Sequence, residues 1–385
     1  MPRRFLFLCI LGAPLLAQQL NQPLPAWTEG TLDVHQINTG RGNSTLFILP
    51  DGTSMLLDAG DLGRNLAARG VPAKPDASRP PGEWIARYAA RVLPAPVLDY
   101  ALLTHFHDDH VSGMADVGTR LPIRKMLDRG WPDYEGLEPD QMPMMDKYRA
   151  FLKQNSIPVE RFTAGRADQI VLRRAPQKYP NFQVRNVLVN TEVWTGVADS
   201  TRQQYPPMEH LAPADRPDEN RRSLGFKLSY GNFDYGTFGD IPGRTRDGGA
   251  PWEDMESAVA KAVGPLEALL LNHHGNRDST NAFYLASLRP QVVIDSVWSS
   301  DHPSHDVLDR ILSTRIYPGP RDVFATNMSQ ANKDVIGPML DRLKSSQGHI
   351  LIRVEPGGNR FRVIIIDDSN ETMKVLAVHG PYQSR

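Results

Sequence analysis

The sequence predicts an α/β (α+β) fold: a four-layer αββα sandwich with helices outside two facing sheets. Three observations lead there. Two runs of short strands separated by tight turns, over 31–60 and 223–238, read as antiparallel meanders. Each run is followed by alternating strands and helices, over 83–115 and 253–325. Sheets and helices in this order bury one sheet face under helices and the other against the second sheet. The chain is 385 residues long and 40% apolar, which is ample for such a core.

The first residues stand apart from this pattern. Arg3 and Arg4 precede an apolar run over 5–17, and the polar Gln18 and Gln19 follow. A short basic region, a short apolar stretch and a small residue at Ala17 predict a secretory signal peptide over 1–17. The run is too short for a comfortable membrane span. A secreted or periplasmic bacterial location is therefore expected. Cys9, inside the run, is the only cysteine, so the mature chain is expected to have no disulfide and no thiolate ligand. No other stretch reads as transmembrane. The formal net charge of −1 speaks neither for nor against nucleic acid.

One main domain is expected over 30–370, with an insertion at about 120–198 and a C-terminal tail at 371–385. The first meander has strands at 31–37, 44–49 and 54–60, joined by the glycine-bearing 39–43 turn and by Pro50-Asp51-Gly52. Trp84, Tyr88 and Val92 at helical spacing predict a helix over 83–93, and 98–103 reads as a buried strand. In the insertion, strands are expected at 124–128, 169–172 and 182–189, and the end of a helix at 148–154. Met114, Met142, Met144 and Met145 in or near it fit core packing better than a metal role. The polar, proline-bearing 199–222 stretch reads as a long loop at the rim of a site. A hairpin follows at 223–230 and 233–238. Then come helices at 253–263, 279–288 and 305–312, strands at 267–272, 291–294 and 322–325, and a closing hairpin at 348–354 and 361–366.

The chemistry concentrates in Thr104-His105-Phe106-His107-Asp108-Asp109-His110, where a buried strand turns into a helix. Four metal-competent side chains in six residues are hard to solvate without a cation, and imidazole with carboxylate suits zinc. His105 and His107, two apart in extended chain, could reach one ion. Asp109 and His110 could reach a second. Asp240 and the pair His273 and His274 fall at other strand tips, as does Asp58. Asp58 reads either as a buttress for ligand histidines or as a turn residue before glycine. His210 is a loop histidine without a spacing partner, and such residues are usually exposed. His302, ahead of Pro303, reads as a substrate contact or as a plain loop residue. Arg221, Arg222, Arg244, Arg246 and Arg277 lie beside the presumed site loops, as phosphate contacts or as solvated charge.

The order Leu-Leu-Asp58-Ala-Gly, His105-x-His107-x-Asp109-His110, Gly-Asp240 and His-His274-Gly resembles the metallo-β-lactamase superfamily over nearly the whole mature chain. More narrowly, 38–43, 220–224, 238–241, 273–276 and His302-Pro303 look like the extracellular hydrolase domain of bacterial competence (DNA-uptake) channel proteins. The resemblance implies that His105 and His107 hold one metal, Asp109 and His110 the other, and that Asp240 bridges them. His274, or else His273, would complete the second position. The wider superfamily usually has a further histidine where Asn220 stands here, so the first position would be poorer in ligands.

The expected activity is hydrolysis by an activated water, with Asp109 and Asp240 as catalytic groups and one or two Zn2+ ions, or Mn2+, as cofactor. Asn220 and His302 are the expected substrate contacts. A phosphodiester is the first choice of bond, in a small-molecule or nucleotide-type substrate, with nucleic acid as an option. The alternatives are an ester, lactone or lactam hydrolase, or a binding module that keeps its metal without turnover.

Overall fold

The computed structural model describes residues 20–62, 70–243 and 249–385. The expected signal peptide, Arg244 and Arg246 lie outside the described residues. Two sheets of nine strands face each other. The first contains β1 (Leu32–Gln36), β2 (Thr45–Ile48), β3 (Ser54–Leu57), β4 (Tyr100–Leu102), β5 (Met126–Asp128) and β6 (Val159–Arg161). The second contains β7 (Phe182–Val189), β8 (Glu192–Trp194), β9 (Thr201–Gln203), β10 (Gly225–Tyr230), β11 (Phe233–Thr237), β12 (Ala268–Leu270), β13 (Val292–Asp295), β14 (Asp322–Ala325) and β15 (Ser345–Ser346). The chain then returns to the first sheet with β16 (His349–Val354), β17 (Arg360–Ile366) and β18 (Val375–Gln383). The orders are β18-β17-β16-β1-β2-β3-β4-β5-β6 and β15-β14-β13-β12-β11-β10-β7-β8-β9.

Alternation along the strands builds the layers. Val34, Phe47, Met55, Leu57 and Leu102 point inward and meet Phe226, Leu228, Tyr235, Leu270 and Ile294 of the other sheet in one buried core. Their neighbours Leu46, Ile48, Leu56, Ala101 and Leu103 point outward. There they meet Ile85, Tyr88 and Ala89 of α1 (Pro81–Val92), Met114 and Val117 of α3 (Met114–Gly118), and Tyr148 and Phe151 of α4 (Met142–Gln154). The outer face of the second sheet is covered by α5 (Met255–Val263), α6 (Ala282–Leu288) and α7 (His305–Leu312). This is the four-layer αββα sandwich. The short α2 (Asp108–Val111) and α8 (Gln330–Ile336) complete the helices among the described residues. None of these helices is long and apolar enough to cross a membrane.

Residues 120–198 supply β5 and β6 to one sheet and β7 and β8 to the other. Two expectations are corrected. The 169–172 stretch is not a strand: Ile170 and Leu172 are buried between the sheets, and the N–H and C=O of Val171 bond to the Tyr100 hydroxyl instead of to a neighbouring strand. The expected tail at 371–385 is largely β18, paired antiparallel to β17. Its Val375 joins Ile364 and Ile366 in a buried apolar cluster that β17 alone would leave at an open edge. Met114 and Met145 are core residues and Met144 packs against them, whereas Met142 is exposed.

Candidate metal centre

Parallel pairing brings the strand ends together. β3 runs parallel to β4, and β11, β12 and β13 run parallel to one another. The C-terminal ends of each set therefore lie at one edge, where open α/β sheets place their sites. β3 delivers Asp58, β4 delivers the 104–110 motif, β11 delivers Asp240, and β12 delivers His273 and His274. Three of these residues have left-handed backbone: Asp58 (φ 59°), His273 (φ 48°) and His274 (φ 52°). Such conformations are strained for these residues and persist where the surroundings hold them. The 39–43 loop closes over the motif. The Asn43 N–H donates to the Asp109 carbonyl at 2.8 Å. Gly42 and Gly60 approach that carbonyl so closely that a Cβ would lie 2.3 Å and 2.0 Å from its oxygen.

Asp109, His110, Asp240 and His274 converge, with one ligand atom of each within 4.8 Å of all the others. The hydrogen bonds behind them decide which ring nitrogens carry protons. His110 Nδ1 lies 2.8 Å from Asp58 Oδ2, which can only accept, so in the neutral ring Nδ1 holds the proton and Nε2 a lone pair. His274 Nδ1 donates to the Ser296 carbonyl at 2.9 Å, leaving its Nε2 likewise unprotonated. The Thr104 hydroxyl donates to Asp58 Oδ2 at 2.9 Å, and its oxygen then accepts from His105 Nδ1 at 3.0 Å. The three free Nε2 atoms point at one another and at carboxylates. His110 Nε2 is 3.3 Å from His274 Nε2, and His274 Nε2 is 3.1 Å from Asp109 Oδ2. Asp240 Oδ2 lies 3.3, 3.6 and 3.8 Å from Nε2 of His110, His274 and His105. Buried acceptors facing each other are unfavourable unless a proton or a metal cation fills the space between them. The residues fit a metal.

The electrostatics agree. Burial opposes charge on Asp109 and Asp240, yet His110 and the neighbouring histidines hold both carboxyl groups well below their ordinary range. Burial also opposes charge on His110, but Asp240, Asp109 and Asp58 overrule it and raise its pKa well above that of ordinary histidine. The cluster thus favours positive charge among its acids.

A second group adjoins the first. His105 Nε2 is 3.1 Å from His107 Nδ1 and 3.8 Å from Asp240 Oδ2, the oxygen that also faces His110 and His274. His273 is not in the four-residue cluster. Its Nδ1 pairs with Asp278 Oδ1 at 2.7 Å, and its Nε2 lies 3.4 Å from Asn220 Nδ2. Asn220 Oδ1 is buried without a hydrogen-bond partner. His210 sits exposed in the Met208–His210 turn, away from the cluster. His302 departs from the expected substrate contact. It is 2% exposed and stacks on His274 with ring centroids 4.8 Å apart, so it packs behind a cluster residue. Burial, and then His274 beside it, push its pKa down to about 3. Arg221 is paired with Asp218 and lies 3.6 Å from Glu253, and Arg277 is exposed. Sequence reasoning missed Thr104, Asn43 and Ser296, whose contacts orient the site. Thr104 adjoins the motif, but nothing in the chain marks its hydroxyl as an orienting group.

Residues 37–179 match the sequence model of the metallo-beta-lactamase superfamily. That stretch is a metallo-beta-lactamase superfamily domain. The protein is a metal-dependent hydrolase that carries a domain of that superfamily. No curated protein matches the chain in sequence. Among solved structures, a protein of Parabacteroides distasonis described as a metal-dependent hydrolase is 13% identical, with a TM-score of 0.39 over 77% of this chain and 94% of its own. A point mutant of the CmlA β-hydroxylase is 13% identical, with a TM-score of 0.38 over 87% of this chain and 55% of its own. A diphosphatase of the PhnP family is 10% identical, with a TM-score of 0.36 over 84% of this chain and 97% of its own. Likeness at this level does not decide the substrate.

Proposed function

We propose that the protein is an exported, zinc-dependent phosphodiesterase with two metal positions. Asp240 Oδ2 carries this reading. It lies within 3.8 Å of imidazole nitrogens of His105, His110 and His274, which suits a carboxylate shared between two ions. His105 and His107 with Asp240 would hold one ion, and Asp109, His110, His274 and Asp240 the other. Imidazole and carboxylate donors without thiolate favour Zn2+, with Mn2+ as the alternative. Bound there, the ions would acidify a water and stabilise charge on a phosphoryl group.

The chain's own residues supply the geometry. Asp58 holds the His110 ring and, through Thr104, the His105 ring. The Ser296 carbonyl holds His274. Asp109, tied at its backbone to Asn43, is the carboxylate best placed to orient the attacking water. The likeness to competence-type hydrolase domains favours a nucleotide-type or nucleic-acid substrate over a lactam. The basic N-terminal run favours export.

The test is metal content together with turnover of bis(p-nitrophenyl) phosphate, p-nitrophenyl acetate and a chromogenic lactam, before and after chelation. The expected result is about two metals per chain and chelator-sensitive cleavage of the phosphodiester. Asp240→Ala and His107→Ala should each lower metal content, and unchanged content in both removes the ligand assignment. Preferential cleavage of the ester or lactam overturns the choice of bond. One metal and no turnover leaves a binding module.

A further inference from the structure

Outside the ligand set, Arg129 and Glu219 form a fully buried ion pair, each 1% exposed. Arg129 Nε donates to Glu219 Oε1 at 2.7 Å, and its Nη2 donates to Oε2. Glu219 Oε1 accepts a further bond, from the Phe106 N–H at 2.8 Å. The Arg129 guanidinium lies 4.7 Å from the centroid of the Phe106 ring. The Phe106 carbonyl is held in turn by Gln141 Nε2 at 3.3 Å. Phe106 is the residue between His105 and His107, so the two peptide groups that join it to them are each fixed by a side chain from a distant segment. Glu219 is also the N-cap residue of the Asn220–Arg222 turn. It therefore immediately precedes Asn220, whose buried Oδ1 lacks a partner.

A buried ion pair is weak as a source of stability, because desolvation consumes most of the attraction and apolar side chains of similar size often serve as well. What apolar replacements could not supply is the acceptor for the Phe106 N–H. That bond sits at the midpoint of the His105–His107 pair, so releasing it would let both imidazoles drift.

We propose that Glu219, clamped by Arg129, is a positioning residue that fixes the His105–His107 segment and Asn220 at the first metal position. This rests on the two-position reading above. It predicts that the two metals respond differently to loss of the clamp. Partners that orient ligands typically change metal affinity by about 10–100-fold.

The experiment titrates Co2+ into metal-free protein, following the visible spectrum and competition with a chromophoric chelator. The Glu219→Leu/Arg129→Met double variant removes both charges together, which avoids leaving an unpaired buried ion. Glu219→Gln/Arg129→Met restores an acceptor for the Phe106 N–H. His107→Ala marks which equivalent belongs to the first position. The expected result is that the Leu/Met variant binds that equivalent about 10–100-fold more weakly. The other equivalent should bind as in the wild type, the melt should stay cooperative, and the Gln/Met variant should recover most of the loss. Two equivalents in the Leu/Met variant with wild-type affinities overturn the inference, as does equal weakening of both. A wild type that binds fewer than two equivalents fails the two-position reading itself, and the inference falls with it.

Discussion

Asp58→Asn is the sharpest test of how the site is held. Asp58 is completely buried, and its carboxylate gathers four donors. Oδ1 accepts from the Thr104 N–H at 2.8 Å. Oδ2 accepts from Thr104 Oγ1 at 2.9 Å, His110 Nδ1 at 2.8 Å and Asn43 Nδ2 at 3.1 Å. Asparagine tolerates the left-handed backbone at this position (φ 59°) and is nearly isosteric, so the substitution changes chemistry more than shape. One amide oxygen must now serve four donors. Placed where Oδ2 is, it keeps three bonds but turns its NH2 toward the Thr104 N–H. Charge-assisted bonds weaken by about 1 kcal/mol each on becoming neutral, and an orphaned buried N–H costs about 1–3 kcal/mol. The fold should therefore lose about 4–6 kcal/mol. Metal affinity should fall separately, by about 10–100-fold, because the His110 ring loses the carboxylate that orients it and raises its basicity. The assay pairs a chelator competition titration with urea melts of the metal-free and loaded protein. A tenfold loss of affinity narrows the gap between the two melts by about 1.4 kcal/mol at fixed free metal. An Asn variant whose metal affinity stays within about twofold of wild type, whatever its melt, would show that Asp58 supports the strand end and not the site.

Two further outcomes follow. Gly60→Ala places a Cβ 2.0 Å from the Asp109 carbonyl oxygen and 2.8 Å from the Gly42 Cα, both backbone atoms with no room to yield. It should lose about 1–3 kcal/mol in a urea melt and lower metal content, since Asp109 must move; wild-type values in both would refute that close approach. His349 accepts the Asn38 N–H at 3.0 Å, and burial pushes its pKa down to about 4. Unfolded, it would titrate near 6.5. The stability this neutral ring contributes is complete above pH 6.5 and is lost as pH falls toward 4, by up to about 1.4 kcal/mol per pH unit. His349→Asn keeps an acceptor for Asn38 but does not titrate, so its acid limb in melts from pH 7 to 4 should be shallower. An unchanged slope would move the acid sensitivity elsewhere.

The parts of the site that were legible in the chain are those whose logic is local. His105, His107, Asp109 and His110 fall within six residues, and Asp240 and His274 each follow a strand beside a glycine, so type and spacing announce them. The sandwich was legible because alternating strands and amphipathic helices each carry their own period. The choice between His273 and His274 was not, since the two are adjacent at one strand tip. The turn at their left-handed residues sends one ring to Ser296 and the other to Asp278. The Arg129–Glu219 clamp was hidden for a different reason: its partners lie in separate segments, and neither has a periodic neighbour that marks it. The 169–172 stretch looked like a strand because it is apolar. Its backbone is held at Val171 by the Tyr100 hydroxyl, and the next N–H but one, of Arg173, donates to Thr53 Oγ1, contacts no window of sequence can show.

The two sheets contribute unequally to the centre, and this has a mechanical consequence. His105, His107, Asp109 and His110 come from the end of β4 in the first sheet, while Asp240 and His274 come from β11 and β12 in the second. Behind them, Asp58 anchors groups of the first sheet, and the Ser296 carbonyl anchors His274 of the second while its hydroxyl accepts from Gln36 Nε2 of the first at 3.1 Å. Across the sheets the Leu224 N–H donates to the Thr104 carbonyl at 2.8 Å, and at the site itself imidazole nitrogens face carboxylate oxygens and each other. A cation there would add a cross-link between the two edges at the site. The apolar core holds the sheets together along their length, and at this edge a shared cation would reinforce the hydrogen bonds that already align Asp240 and His274 with the motif.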